Sequence, residues 1–352
     1  MTERTRSILW LVLLAALVLA PLAITSGRWI QFMELTLFVA VLGQGWNILG
    51  GYGGQYSFGH ALFFGTGAYI QALLQFKFGF SPWLSLWFAI AGGVLIGSFV
   101  GFLSFRYGLR GSYFALITLA FAEAFLVLSR SFISITEGGR GVQLDLNQDP
   151  DQAIATFQFT FAGKFLQANG YYYTILIILV LAYAATWWMA RTRFGAQLSA
   201  VRENEDAAEA LGIDAFRVKM GAICMSAAIT AAAGVYYTQK FLYVDPGLAY
   251  GPGKSVEALV VAIIGGLGTV LGPLVGSLFV HGVGEAAKEV VGLVLGDRPG
   301  VDLILYGVIL VLVLAFMPKG LVGLLEAGWR RLSAPSTPRP PTAAGAKDAG
   351  DA

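Results

Sequence analysis

The chain has 352 residues, 57% of them hydrophobic and only 12% charged, with a mean hydropathy of +0.69. A soluble domain carries about twice that charged fraction, so most of this surface faces something other than water. The formal net charge is +2 and no run of Lys and Arg offers a phosphate track, which excludes nucleic acid as a partner. A single cysteine, Cys224, excludes an internal disulfide and every CxxC motif, and the two histidines, His60 and His281, are too far apart in sequence to suggest a zinc site. The composition is that of an integral membrane protein whose first partner is the lipid bilayer.

A helix needs about 20 largely apolar residues to cross roughly 30 Å of hydrocarbon. Stretches that qualify run over residues 8–24, 30–50, 59–78, 82–105, 112–133, 171–190, 218–241 and 303–317. Between the last two, residues 256–294 form a long apolar run broken by Gly265, Gly266, Gly268, Gly272 and Pro273. The pattern predicts an all-α, polytopic membrane helix bundle with about 8–10 spans, including one broken or re-entrant pair. The first stretch is read as a retained span, with a cleaved signal peptide as the alternative.

Basic residues set the orientation through the positive-inside bias. With Arg4 and Arg6 inside, Arg106, Arg110 and the loop over 191–217 fall inside too. So does the end of the chain, with Lys319, Arg330 and Arg331, provided that 256–294 returns to the face it started from. Residues 1–332 then form the transmembrane domain. Residues 134–170 are an external loop in which Phe157, Phe159 and Phe161 alternate, to pair as strands or lie on the bilayer. Residues 333–352, rich in Pro, Ala and charge, are a disordered cytoplasmic tail.

No nucleotide-hydrolysing motif is present. Gly253-Lys254-Ser255 resembles the end of a phosphate loop, but Leu248 stands where its first glycine belongs and no strand precedes it. Nucleophile elbows, HExxH and kinase motifs are also missing, so the chain reads as non-catalytic, with no metal or cofactor. Glu123 is the one acid near the middle of a predicted span. It is either a path-facing group for a substrate ammonium or a protonated acid satisfied within the bundle. Two glycine rows at four-residue spacing, Gly93, Gly97, Gly101 and Gly268, Gly272, Gly276, each give a helix a flat face for close packing.

Five glycines from Gly50 to Gly59 will not hold a helix without support. Unwound backbone at membrane depth is tolerated only where it lines a cavity or is buried in protein. Ser57 and His60, i and i+3, point the same way at the start of the next helix, where free amides could receive a carboxylate. A turn in which His60 caps a carbonyl is the alternative. On the inner side, Leu198, Val201, Ala208 and Leu211 share one face of a short amphipathic helix bounded by Gly195 and Gly212, with acidic charge from Glu203 to Glu209 on the other. That acidity argues against anionic lipid and for a protein partner.

Asp206-Ala207-Ala208, three residues, then Gly212 resembles the EAA…G loop of permease subunits in ATP-binding-cassette importers, with Asp in place of Glu. The wider run from Arg202 through Phe216 resembles the LivM-type branched-chain amino-acid permeases. So do Gly45-Trp46-Asn47-Ile48-Leu49-Gly50-Gly51-Tyr52, Ser57-Phe58-Gly59-His60-Ala61 and Gly65-Thr66-Gly67-Ala68-Tyr69. Leu109-Arg110-Gly111-Ser112-Tyr113-Phe114-Ala115, Thr136-Glu137-Gly138-Gly139-Arg140-Gly141 and Gly265-Gly266-Leu267-Gly268-Thr269 with Gly272-Pro273 continue it, from about residue 44 to 317. Glu137 departs from the pattern, standing where a small residue is expected.

The resemblance implies a transport subunit of the bacterial cytoplasmic (inner) membrane. Its implied partners are a second homologous permease, two cytoplasmic ATP-binding-cassette ATPase subunits and an extracytoplasmic substrate-binding protein. It places ATPase coupling at Glu205, Asp206, Ala207, Ala208 and Gly212. The substrate path is expected near Ser57, Gly59, His60, Tyr113 and Glu123, with Phe63, Phe64, Tyr69, Tyr113 and Phe114 able to supply an apolar pocket. The cargo is a branched-chain or related amino acid. A urea or short-amide permease of the same superfamily, or a channel or secondary transporter for a small solute, is the alternative.

Overall fold

The computed structural model describes residues 14–24, 26–144, 157, 169–295, 300–316 and 320–324. Residues 1–13, Phe159, Phe161 and the 333–352 tail lie outside the described residues. The helices are α1 (Leu14–Ala23), α2 (Gly27–Trp46), α3 (His60–Phe78), α4 (Pro82–Arg106), α5 (Ser112–Ser131), α6 (Gly170–Arg191), α7 (Arg193–Glu203) and α8 (Glu205–Ala210). They continue with α9 (Ala215–Phe241), α10 (Pro246–Tyr250), α11 (Gly253–Gly265), α12 (Gly272–Leu295) and α13 (Val301–Phe316). Predicted and observed spans agree closely, because a continuous apolar run leaves a chain in lipid few choices but helix.

Six of the described segments are long and apolar enough to cross a membrane: Gly27–Tyr52, Pro82–Arg106, Ser112–Ser131, Gly170–Arg191, Ala215–Phe241 and Pro246–Gly265. Helices α3 and α12 are comparably long but more polar, carrying Gln71, Gln75 and Lys77, and Glu285, Lys288 and Glu289. Two helices form the axis of the bundle. From Thr36 to Trp46 every residue of α2 is buried, and α6, α9, α11 and α12 pack round it. Helix α9 in turn carries α3 and α4.

Lipid tails are as apolar as leucine, so packing here is won by close approach rather than by escape from water. The Gly93, Gly97, Gly101 row of α4 lies on Ala231, Ala227 and Ile223, so its partner is α9 of this same chain. Gly234 of α9 faces the Phe64 carbonyl and the Ala68 amide of α3, leaving no room for a methyl group. The second row divides: Gly272 and Gly276 are on α12, whereas Gly268 sits in the preceding turn with φ +68°.

That turn, 266–271, divides the long apolar run into α11 and α12, which return antiparallel with backbones in contact at Gly265 and Gly272. Gly266 and Gly268 both take positive φ there, which a residue with Cβ rarely does. The expected broken pair is therefore present.

The two ends of the bundle are marked by side-chain contacts. On one side Arg110, between α4 and α5, meets α8. On the other, strand β1 (Val142–Gln143) pairs antiparallel with β2 (Tyr243–Val244), and Lys77 donates to the Ser134 carbonyl at 2.8 Å. Within the 134–170 region the observed strand is Val142–Gln143, not the phenylalanine alternation. Phe157 is instead buried edge-on against Trp83, with ring centroids 4.7 Å apart. Helix packing gives a direct test. Gly234→Leu must displace backbone and should cost about 1–3 kcal/mol, read as a lower unfolding temperature in detergent. Gly282→Leu, where nothing lies within 4 Å, should change it little.

Candidate functional site

Helix α2 does not end cleanly. After Trp46 the chain widens into a π-turn, Asn47–Tyr52, with Gly53 N–H reaching back to the Ile48 carbonyl at 3.2 Å. Residues 53–59 then run without helix, and Gln55 N–H donates to the Leu49 carbonyl at 3.0 Å. This is the unwound stretch that the glycines predict. Its polar groups are satisfied mostly by side chains. The Trp46 indole donates to the Ser57 carbonyl (2.8 Å), Phe58 N–H to Thr118 Oγ1 (3.2 Å), Gly59 N–H to Ser57 Oγ (3.1 Å) and Ala61 N–H to Ser255 Oγ (2.8 Å).

Ser57, Gly59 and His60 are therefore brought together and buried at the start of α3. His60 Nε2 lies 2.8 Å from Ser226 Oγ on α9, and the Gly45 backbone is a second partner of the ring. Amides expected to be free for a carboxylate are taken by Ser57 and Ser255 in this conformation. Tyr113 and Glu123 are not part of this cluster. Tyr113 is 73% exposed on the first turn of α5, and Glu123 is half-buried further along it. Helix α5 reaches the cluster through Thr118. Phe63, Phe64 and Phe114 are core residues, and Tyr69 stacks on Tyr250 at 5.5 Å. Sequence reading missed Thr118, Ser226 and Ser255, since a lone hydroxyl in an apolar helix carries no local signal.

The second break closes on the first. Asn47, in the π-turn, donates through Nδ2 to the Thr269 carbonyl (2.8 Å) and accepts from Gly268 N–H through Oδ1 (2.8 Å). Arg202, from α7, donates to the Gly51 carbonyl at 2.9 Å and also pairs with Glu203 at 2.7 Å. A side chain added at Gly268 would meet both that guanidinium and the Gly51 carbonyl. One amide and one guanidinium thus tie two unwound segments and a surface helix together across about 220 residues of chain.

The surface helices differ from the sequence expectation in one respect. Asn204 leaves helical geometry (φ −158°, ψ 108°) and its Oδ1 accepts from Ala207 N–H at 3.0 Å, so the predicted helix is split into α7 and α8. Leu198, Val201 and Ala208 face inward as expected, but the break and the end of α8 turn Leu211 outward, where it is 83% exposed. Glu205 anchors α8, meeting Lys219 at 2.5 Å and Arg110 at 3.1 Å. Lys219 is only 2% exposed. Arg110 also binds Asp206 at 2.9 Å, and that hydrogen bond, with the nearby Glu205 charge, raises the guanidinium above its ordinary pKa. Asp206, Ala207 and Gly212 stay at the surface, and Gly212 takes φ +85°. The result is a short helix held by buried charge with a polar, partly apolar face presented outward.

Comparison with known proteins places this architecture. Residues 28–314 match the sequence model of the family described as the branched-chain amino acid transport system / permease component. The high-affinity branched-chain amino acid transport system permease protein LivM of Escherichia coli K12 is 26% identical over 332 residues, covering 89% of this chain and 74% of that protein. LivH of Salmonella typhimurium is 27% identical over 291 residues, with 81% and 91% covered, and BraD of Pseudomonas aeruginosa is 25% identical over 298 residues, again with 81% and 91% covered. No solved structure matches. With the family model spanning nearly every described helix, the chain belongs to the branched-chain amino acid transport system permease family.

Proposed function

We propose that this chain is the membrane-spanning subunit of an ATP-binding-cassette importer for branched-chain or related amino acids. It works in the bacterial cytoplasmic membrane beside a second homologous permease. A soluble binding protein delivers the cargo on the β1–β2 side, and two ATPase subunits dock on the α7–α8 side, where the 333–352 tail also lies. The observation that carries the reading is the Arg202 hydrogen bond to Gly51, because it joins the α7–α8 surface to the point where the membrane helices are broken.

Coupling is assigned to Glu205, Asp206, Ala207, Ala208 and Gly212. Asp206, Ala207 and the exposed Leu211 form the docking face, while Glu205 and Ala208 hold it to the bundle. The path is assigned to Ser57, Gly59 and His60, with Tyr113 and Glu123 joined through α5, whose Thr118 touches the Gly59 turn. Closure of the ATPases moves α7–α8 as a rigid element, and Arg202 passes that movement to Gly51 and, through Asn47, to the 266–271 turn. Two broken hairpins shift together, and the cavity changes the face to which it opens. Hydrolysis stays on the partner subunits, so this chain needs no nucleotide site of its own.

Affinity purification in mild detergent should recover a second permease and ATPase subunits. A homo-oligomer without ATPase that passes solute downhill without ATP would replace this reading with a channel. Within the assembled complex, Arg202→Met should lower amino-acid import by at least about ten-fold while stimulated ATP hydrolysis continues, with Arg202→Lys intermediate. Import at the wild-type rate in Arg202→Met would remove the relay. Gly212→Val, forced into a left-handed conformation at a cost of about 1–2 kcal/mol, should likewise uncouple hydrolysis from import with the subunits still assembled.

A further inference from the structure

On the β1–β2 side, between α2, α11, α12 and α13, lies a cleft of about 880 Å³ that none of the assigned residues lines. Arg28 and Glu285 face each other across its mouth at 2.9 Å, with Lys288 3.8 Å from the same carboxylate. Deeper in, Lys254 and Glu257 pair at 2.8 Å on one face of α11. Lys254 lies in the first turn of α11, beside Phe38 near the middle of the Gly27–Tyr52 span. Its ammonium is 5.4 Å from the Phe38 ring centre and 5.3 Å from that of Tyr237. Val260, Val280 and Leu310 supply an apolar wall.

Charge at that depth is costly to keep, and a purely structural pair would be closed over by protein. This one faces open space within the usual range of small-molecule sites, about 300–1,000 Å³. It also offers both signs three residues apart. The Lys254 ammonium has three donors, of which Glu257 takes one, leaving capacity for a second carboxylate.

We propose that this cleft is a transient site for the zwitterion of an aliphatic amino acid, resting on the importer reading above. The α-carboxylate binds Lys254, the α-ammonium binds Glu257, and the side chain lies along Val260, Val280 and Leu310. The ligand splits the existing ion pair and replaces each partner with its own opposite charge, so a zwitterion enters without adding net charge. A singly charged analogue satisfies one residue and strands the other, which gives the cleft its selectivity. Ser255, next to Lys254, holds the Ala61 amide, so the cleft floor adjoins the Ser57–His60 cluster assigned to the path.

The test uses the complete complex in proteoliposomes, with Val256→Cys in a Cys224→Ala background. Val256 lines the cleft and is 43% exposed. Millimolar leucine should slow labelling of that cysteine by a membrane-impermeant maleimide several-fold, whereas isopentylamine and isocaproate, each bearing one charge, should not. Lys254→Met should abolish the protection and lower leucine import by at least about ten-fold, with stimulated ATP hydrolysis and subunit recovery unchanged. Lys254→Arg should keep both. Labelling unaffected by leucine in a complex that imports leucine, or import by Lys254→Met within two-fold of wild type, would overturn the site and leave the importer intact. A wild-type complex that imports no aliphatic amino acid would instead sink the function on which the site rests.

Discussion

Backbone that leaves helical geometry inside a membrane must find its hydrogen bonds within the protein, and two of the places where this chain leaves it are tied to each other. The Asn47–Tyr52 turn and the 266–271 turn solve the problem jointly. Asn47 has both an acceptor and a donor, and it spends them on the Gly268 amide and the Thr269 carbonyl. Ser57, Thr118 and Ser255 supply the hydroxyls that the Phe58, Gly59 and Ala61 amides require. Each broken helix is thus stable only because the other parts of the bundle are in place, and a break held this way is a natural point of movement.

Charge is distributed to match. Among the described residues, ionic contacts gather at three levels. On the α7–α8 side Glu205 draws Arg110 and buried Lys219 together and fixes a helix that would be too short to stand alone. Within the bundle Lys240 pairs with Glu34 at 2.5 Å, and both are largely shielded. In the cleft on the β1–β2 side, Lys254 pairs with Glu257 and Arg28 with Glu285 along its wall. The first two sets build the bundle; the third is spare to that task. What sets the third group apart is its place on the wall of a cleft, not its exposure, since Lys254 and Lys240 are shielded to nearly the same degree.

The spans were legible because hydrophobic run length reports directly on the hydrocarbon thickness it must cross. The breaks were legible because clustered glycine and proline weaken helix wherever they occur. The division of α7 from α8 was not, since Asn204 is an ordinary helix-surface residue until its side chain turns back to cap Ala207. Leu211 was misplaced for the same reason: its face was read from a helical period that stops before it is reached. The Ser57–His60 group was found from glycine density, yet Ser226 and Ser255, which complete it, lie 166 and 194 residues from their partners and leave no local trace.

Sequence alone determined that this protein is a membrane helix bundle, that it breaks at the glycine clusters after Trp46 and after Gly265, and which family pattern it follows. Those properties depend on local composition and on motifs a few residues long. Only the tertiary structure decided that the two breaks share one asparagine, that Arg202 links them to the surface helices, and that the Gly93, Gly97, Gly101 row is filled by α9 of this chain rather than by a partner. It alone placed Lys254 and Glu257 in one cleft with Arg28 and Glu285. The physical reason is the same in each case: a hydrogen bond or an ion pair acts over about 3 Å of space, and no spacing along the chain encodes which distant residue will occupy it.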